Sequence, residues 1–205
     1  MIIRKKYRVE MGHIVRNCSS RRCSHSQHGH SAIIEVLLEG DRLDNAGMLY
    51  DFGLMKDTIK QFIDLFDHCY VFWKDDDPEF IDYIKKYNAR WIALPFNPTA
   101  EMLSLMFMNA INRILIRTEK LNGEGDIKCI GVIYHETESG YAQCSLADNT
   151  TMWNHNNLDH MVFSHELATD IGYLSDLKAI WDGRMITPIQ KPVDQVHADP
   201  CGFEK

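Results

Sequence analysis

Hydrophobic and polar positions change rhythm several times along this chain, and each rhythm predicts an element. Residues 2–10 alternate loosely around Ile2, Ile3, Tyr7 and Val9, the two-residue period of a half-buried strand. A polar, Ser-rich stretch from 17 to 27 predicts a loop. HGHSAIIEVLLEG (28–40) then predicts a second strand, closed by Gly40-Asp41, so the pair forms an antiparallel ribbon with a long connection. Beyond Asp51 the period lengthens. Phe52, Met55, Ile59, Phe62, Ile63 and Phe66 recur at helical spacing, and Asp51 is the candidate N-cap.

DPEFIDYIKKYNA predicts a short second helix with Phe80, Ile81, Ile84 and Tyr87 on one side. RWIALPF (90–96) predicts a short extended segment, which Pro95 stops. NPTAEMLSLMFMNAINRILIRTEK opens with cap chemistry at Asn97-Pro98-Thr99 and carries Met102, Leu103, Met106, Ile111, Ile114 and Leu115 along a helix, the methionines reading as core filler. A tight turn at NGEG (122–125) leads into a third strand, DIKCIGVIYHET, and SGYAQCSL predicts a fourth. The order is an α+β fold with helices on one face of an antiparallel sheet. From 148 the chain turns polar around one predicted helix near IGYLSDLKAIWDG, which divides it into a domain of 1–147 and an extension of 148–205.

Composition adds exclusions. A chain of 205 residues with 45% hydrophobic and 25% charged residues builds a core without staples. No apolar run is long enough to span a membrane, and the first residues lack an apolar region of signal-peptide length. Cys18, Cys23, Cys69, Cys129, Cys144 and Cys201 are therefore read as reduced thiols of a cytoplasmic protein. The net charge of −7 argues against general nucleic-acid binding, yet residues 1–30 hold seven basic residues against one acid. Such a patch could hold a small polyanion such as a phosphorylated metabolite, or be a solvated edge strand.

Candidate chemistry centres on RCSHSQHGH (22–30). On a strand, His28 and His30 share one face roughly 6.5–7 Å apart, and His13 at the end of the preceding strand can supply a third nitrogen. Three imidazoles with a fourth position open describe a catalytic zinc; a structural knuckle of Cys18, Cys23, His28 and His30, or a loop of exposed histidines, is the competing reading. Cys23, beside Arg21 and Arg22, can serve as base or nucleophile, or be an inert loop thiol. Asp67 beside His68 can fix an imidazole for proton transfer, or merely charge a helix terminus. Glu136, in an otherwise apolar strand, either lies at a wet rim or matches the guanidine-like N–H pair of a pterin or guanine edge. His155, His160 and His165 read as surface residues.

Together His13, Cys23, HGH (28–30), DFGLMK (51–56), FDH (66–68), NPTAE (97–101) and HET (135–137) resemble the family of 6-pyruvoyl- and 6-carboxytetrahydropterin synthases. The likeness covers about 1–145 in order. It implies a T-fold, an antiparallel sheet with two long helices, assembled into hexamer-type rings whose sheets join as barrels with active sites between subunits. It also implies that His13, His28 and His30 bind Zn2+, that Cys23 is the catalytic thiol, and that Asp67 with His68 is the second proton-transfer group. Glu136 corresponds to the pterin anchor and Thr99 to the start of a loop that contacts the ring, where Ala100 leaves only its backbone. The interval from Cys23 to His28 is five residues, between those usual in bacterial and animal members, and Cys18 is a second candidate thiol.

The activity implied is conversion of 7,8-dihydroneopterin triphosphate to 6-carboxy-5,6,7,8-tetrahydropterin, releasing acetaldehyde and triphosphate, in queuosine biosynthesis. The basic N-terminal segment would hold the triphosphate. The same-fold rival is a synthase that eliminates triphosphate and leaves the carbon skeleton intact. A non-catalytic zinc- or pterin-binding protein is the alternative from another class.

Overall fold

The computed structural model describes residues 1–170 and 174–188. β1 (Ile2–His13) and β2 (His28–Gly40) form the predicted ribbon, antiparallel from Ile2↔Glu39 to His13↔His28, with a short helix, α1 (Arg21–His25), in their connection. Alternation decides the faces. Tyr7, Val9, Met11 and His13 are buried on one side of β1, and Arg4, Lys6, Arg8 and Glu10 are exposed on the other. Ala32, Ile34, Val36 and Leu38 of β2 are buried in the same core.

The segment predicted as one amphipathic helix is two short ones, α2 (Leu54–Asp57) and α3 (Ile59–Asp64). Thr58 divides them: it leaves helical geometry at φ −128°, ψ −78°, and its hydroxyl donates to the Leu54 carbonyl at 2.9 Å. A β-branched hydroxyl residue competes with the helix for backbone partners in this way. Asp51 does not cap; its carboxylate accepts from the Gly53 N–H at 2.7 Å and makes a turn ahead of α2.

Next comes a unit the pattern does not single out. β3 (Cys69–Trp73) runs parallel to the end of β1, and β4 (Trp91–Leu94), inside the predicted extended segment, runs parallel to β3. The crossover helix α4 (Pro78–Tyr87) starts at an Asp77 cap whose carboxylate accepts from the Phe80 N–H. It lays Phe80, Ile81 and Ile84 on Tyr70, Phe72 and Ala93, whereas Cys69 and Val71 belong to the main core on the opposite face. The sheet is therefore mixed rather than antiparallel, and helices lie on both faces rather than one. Parallel neighbours require a crossover, and the crossover must pack on one side of the sheet.

Only one long helix is present among the described residues, not two. α5 (Ala100–Arg117) begins at Thr99, whose side chain accepts from the Met102 N–H at 3.3 Å, and buries Leu103, Phe107, Ile111 and Ile114. β5 (Ile127–His135) pairs antiparallel with β2 across a bulge at Leu37/Leu38, and β6 (Tyr141–Ser145) pairs with β5. α6 (Leu146–Met152), β7 (Val162–Phe163), α7 (His165–Asp170) and α8 (Leu174–Trp181) follow, and α8 lies within the last predicted helix. The sheet order is β6-β5-β2-β1-β3-β4-β7. Trp153, Leu158, Met161, Leu167 and Leu177 are buried in the same core as the sheet. His160 and His165 are exposed, and Cys201 and the side chain of His155 lie outside the described residues.

Two edges stay open. β3 pairs with β1 only at residues 11–13, so residues 2–9 have no strand on that side among the described residues, and β6 ends the sheet at the other side. No helix of the described residues is long and apolar enough to cross a membrane.

Candidate metal centre and active site

The register of the ribbon builds the centre. His13 pairs with His28, and Met11 with His30, so all three imidazoles emerge on one face at one end of the sheet. Their ring centroids are 4.6, 5.1 and 5.2 Å apart, and each offers a nitrogen within 4.8 Å of the others. His13 Nδ1 donates to the Pro98 carbonyl and His28 Nδ1 to the Ser26 carbonyl, both at 2.9 Å. A carbonyl only accepts, so each ring carries its proton on Nδ1 and leaves Nε2 as a lone pair. Those two lone pairs face one another at 3.1 Å, and His30 Nε2 is buried without a hydrogen-bond partner among the described residues.

Converging acceptors call for an electrophile between them. Burial, followed by the neighbouring His28, lowers the His13 pKa to about 4, and burial also lowers that of His30 against the opposing pull of Glu136. Neutral imidazoles are the form that ligates a divalent cation, and carbonyls behind the ring protons are the usual second layer of such sites. The residues therefore fit a metal ion. Glu136, just past β5, brings Oε1 to 3.5 Å from His13 Nε2 and 3.7 Å from His30 Nε2 at the mouth of the cluster.

Cys23 is half-buried on α1, and its carbonyl accepts from the Val15 N–H at 3.1 Å. Arg16 holds this loop: Nη1 donates to the Ser24 carbonyl at 2.9 Å, and Nε reaches both carboxylate oxygens of Asp76 at 3.0 and 2.8 Å. The Arg16 guanidinium also lies 4.7 Å from the Phe80 ring centre. Asn97 brackets the Arg16 backbone, accepting from its N–H and donating to its carbonyl. Sequence reasoning missed Arg16, Asp76 and Asn97 as supports of the site. The only local signal was the turn chemistry of NPTAE.

Asp67 and His68 are not members of the three-His group. Asp67 Oδ1 accepts from the Glu10 N–H at 2.8 Å, while Oδ2 stands 3.8 Å from His68 Nε2, beyond hydrogen-bond reach. His68 adopts φ 52° and is exposed. It borders a cleft of about 540 Å³ with Glu10, Gly12, Gly29, Ser31 and Tyr70. The four ribbon positions in that set alternate to the face opposite His13, His28 and His30, although the cleft also touches His28 and His30. Thr99 spends its side chain on the α5 cap, next to the Pro98 carbonyl that orients His13.

The basic segment is partly committed to structure. Arg4 and Lys6 bind the buried Glu35 at 2.8 and 2.9 Å, Lys5 donates to the Phe52 carbonyl, and Arg16 serves Asp76. Arg8, Arg21 and Arg22 are the exposed remainder, the last two flanking Cys23.

A family model described as 6-pyruvoyl tetrahydropterin synthase matches residues 2–147. The chain is 43% identical over 148 residues to the 6-carboxy-5,6,7,8-tetrahydropterin synthase of Helicobacter pylori strain J99, covering 72% of this chain and 74% of that one. The protein of the same name from Aquifex aeolicus is 33% identical over 119 residues, 57% of this chain and 72% of its own. Among solved structures, an uncharacterised protein from Wolinella succinogenes superposes with a TM-score of 0.58 at 21% identity, over 71% of this chain and 98% of that one. The 6-pyruvoyl tetrahydropterin synthase of Plasmodium vivax superposes with a TM-score of 0.50 at 15% identity, over 70% and 97%. These two likenesses concern the fold.

Proposed function

Since the chain belongs to the 6-pyruvoyl tetrahydropterin synthase family, we propose that it is a cytoplasmic, zinc-dependent carbon–carbon lyase. It would convert 7,8-dihydroneopterin triphosphate and one water to 6-carboxy-5,6,7,8-tetrahydropterin, acetaldehyde and triphosphate, for queuosine biosynthesis. The observation that carries the reading is the convergence of three imidazole nitrogens beside a carboxylate. The name of the relative at 43% identity supports the carboxy product over the pyruvoyl one.

In this reading His13, His28 and His30 would hold zinc, which would supply Lewis acidity toward the substrate's side-chain oxygens. The 3.1 Å between His13 Nε2 and His28 Nε2 suits two nitrogens that share one ion. Cys23 takes the proton on one side, with Arg21 and Arg22 beside it to hold the phosphates. Glu136 receives the paired N–H groups of the pterin, and the backbone at Thr99 approaches the ring while its side chain stays on the cap.

Asp67 and His68 are assigned to proton transfer in the site of a neighbouring copy. His68 is exposed on a cleft lined largely by ribbon positions that alternate away from His13, a placement that favours a homo-oligomer with shared sites. The open edges at residues 2–9 and at β6 are what a hexamer-type ring with barrel-joined sheets would pair.

The test is product analysis with zinc-loaded protein and 7,8-dihydroneopterin triphosphate. Equal acetaldehyde and carboxytetrahydropterin are expected, with Cys23→Ala abolishing turnover and Cys18→Ala sparing it. A pyruvoyl product without acetaldehyde would transfer the chain to the rival activity. Unchanged substrate over zinc-bound protein would leave a binding protein.

A further inference from the structure

The chain beyond residue 147 lies outside the family match, yet it touches the metal centre through one intermediary. His13 is oriented by the Pro98 carbonyl, which sits in the short turn between β4 and α5. That turn is tight, with the Thr99 N–H donating to the Asn97 carbonyl at 2.8 Å. Phe96, at its start, is buried, and the ring against it comes from the extension: Trp153 meets Phe96 edge-on at 5.6 Å between centroids, each less than a tenth exposed.

The same extension grips β4 just upstream. β7 pairs Phe163 with Ile92 and Val162 with Ala93; the Ser164 N–H donates to the Trp91 carbonyl, and the Ser164 hydroxyl accepts from the Trp91 N–H. Asn149 accepts from the Asn109 amide on α5 at 2.6 Å. The turn bearing Pro98 is thus held from its β4 side and at Phe96 by residues 153–164, while Asn149 ties the extension to the middle of α5.

We infer that Trp153 is a positioning residue for the metal centre: with β7 it braces the 95–99 turn, so that the Pro98 carbonyl keeps His13 in ligating orientation. This rests on the reading of His13, His28 and His30 as a metal site. Ligand-orienting partners typically change metal affinity by 10- to 100-fold, and Trp153 acts one contact further out, so the lower end of that range is expected.

The full-length chain is titrated with zinc against a chromophoric chelator, and its cobalt(II) complex is examined by visible absorption. Trp153→Ala is expected to weaken zinc binding about tenfold and to alter the cobalt d–d bands. Trp153→Phe, which keeps a ring against Phe96, restores both. Leu177→Ala, buried in the same core on α8, lowers the melting temperature and leaves affinity and spectrum unchanged. Should Trp153→Ala fail to fold, Trp153→Leu is read in the same way. Wild-type affinity and spectrum in the Trp153 variants would overturn the inference, as would an equal loss of affinity in Leu177→Ala. A wild-type chain that takes no zinc would overturn the metal reading and this inference with it, a result distinguishable from failure of the brace alone.

Discussion

Arg16 and Asp76 offer the sharpest test of how the Cys23 loop is held. Truncating one partner of a fully buried, hydrogen-bonded ion pair costs about 3–5 kcal/mol, because the other charge is stranded. The Asp76 side chain is 5% exposed, but that of Arg16 keeps 24% of its surface in solvent and retains its bond to Ser24. Partial rehydration lowers the expected loss for Asp76→Ala to about 2 kcal/mol. Asp76→Asn still accepts from the Asp77 N–H and can accept from Arg16, so about 1 kcal/mol is expected. Arg16→Ala also forfeits the Ser24 bond and the Phe80 contact, for a total of about 3 kcal/mol.

The pair itself is lost only once in the double variant, so the cycle should return a coupling of about 1.5 kcal/mol. Urea unfolding followed by circular dichroism gives all four stabilities. A second readout separates loop anchoring from general stability. With Cys18 and Cys201 replaced by alanine, Cys23 is the one thiol outside the buried set among the described cysteines. Its reaction with an aromatic disulfide should accelerate several-fold in Asp76→Ala under conditions where the protein stays folded. Coupling below about 0.5 kcal/mol, or an unchanged thiol rate, refutes the clamp.

Three further outcomes are expected. Phe107 is fully buried among Phe62, Phe66 and Tyr134, so Phe107→Ala should cost about 3–5 kcal/mol in urea unfolding, while Ile116→Ala, exposed on the same helix, should stay within about 0.5 kcal/mol. A Cβ on Gly131 would stand 2.8 Å from the Cys144 carbonyl, a backbone atom that cannot yield; Gly131→Ala should lower stability by about 1–3 kcal/mol, more than Gly12→Ala, whose Cβ is crowded by the Tyr70 ring edge and meets the His28 carbonyl only at an ordinary 3.5 Å. Burial works against ionisation of Glu35, but hydrogen bonds from Lys6 and His135 and the nearby Arg4 charge prevail and depress its pKa. A depressed carboxylate stabilises the fold in full above its unfolded pKa and loses that contribution as pH falls through the folded one. The stability gap between wild type and Glu35→Gln should therefore be constant near neutrality and close below about pH 4; a gap that widens there contradicts the network.

Legibility followed the range of the interactions. HGH was readable because a two-residue period puts both rings on one face, and the ribbon register then brings His13 to them. β3 was not, because CYVFW is covered on both sides and carries no alternation. The apolar side of α4 was readable, but which face of the sheet it covers depends on the handed crossover between parallel strands, which no local pattern reports. Thr58 broke a helix whose hydrophobic spacing was correct. Asp67 and His68 adjoin in sequence, yet their side chains do not bond, and neither joins the group of three imidazoles. The supports of the site, Arg16 with Asp76 and Asn97, join residues roughly sixty and eighty positions apart, distances at which sequence pattern is silent.

The place of β2 between β1 and β5 has a bearing on the order of events during synthesis. Its partner β1 precedes it by one loop, whereas β5 pairs with it from roughly a hundred residues downstream. As the chain leaves the ribosome, the ribbon can close early and already contains His13, His28 and His30, so the three candidate ligands meet in a nascent hairpin. Ile34, Val36 and Leu38 meanwhile wait uncovered until α5 and β5 emerge, and that interval is when self-association competes with folding. A site made of neighbours is thus completed first, and the brace over the 95–99 turn is added last.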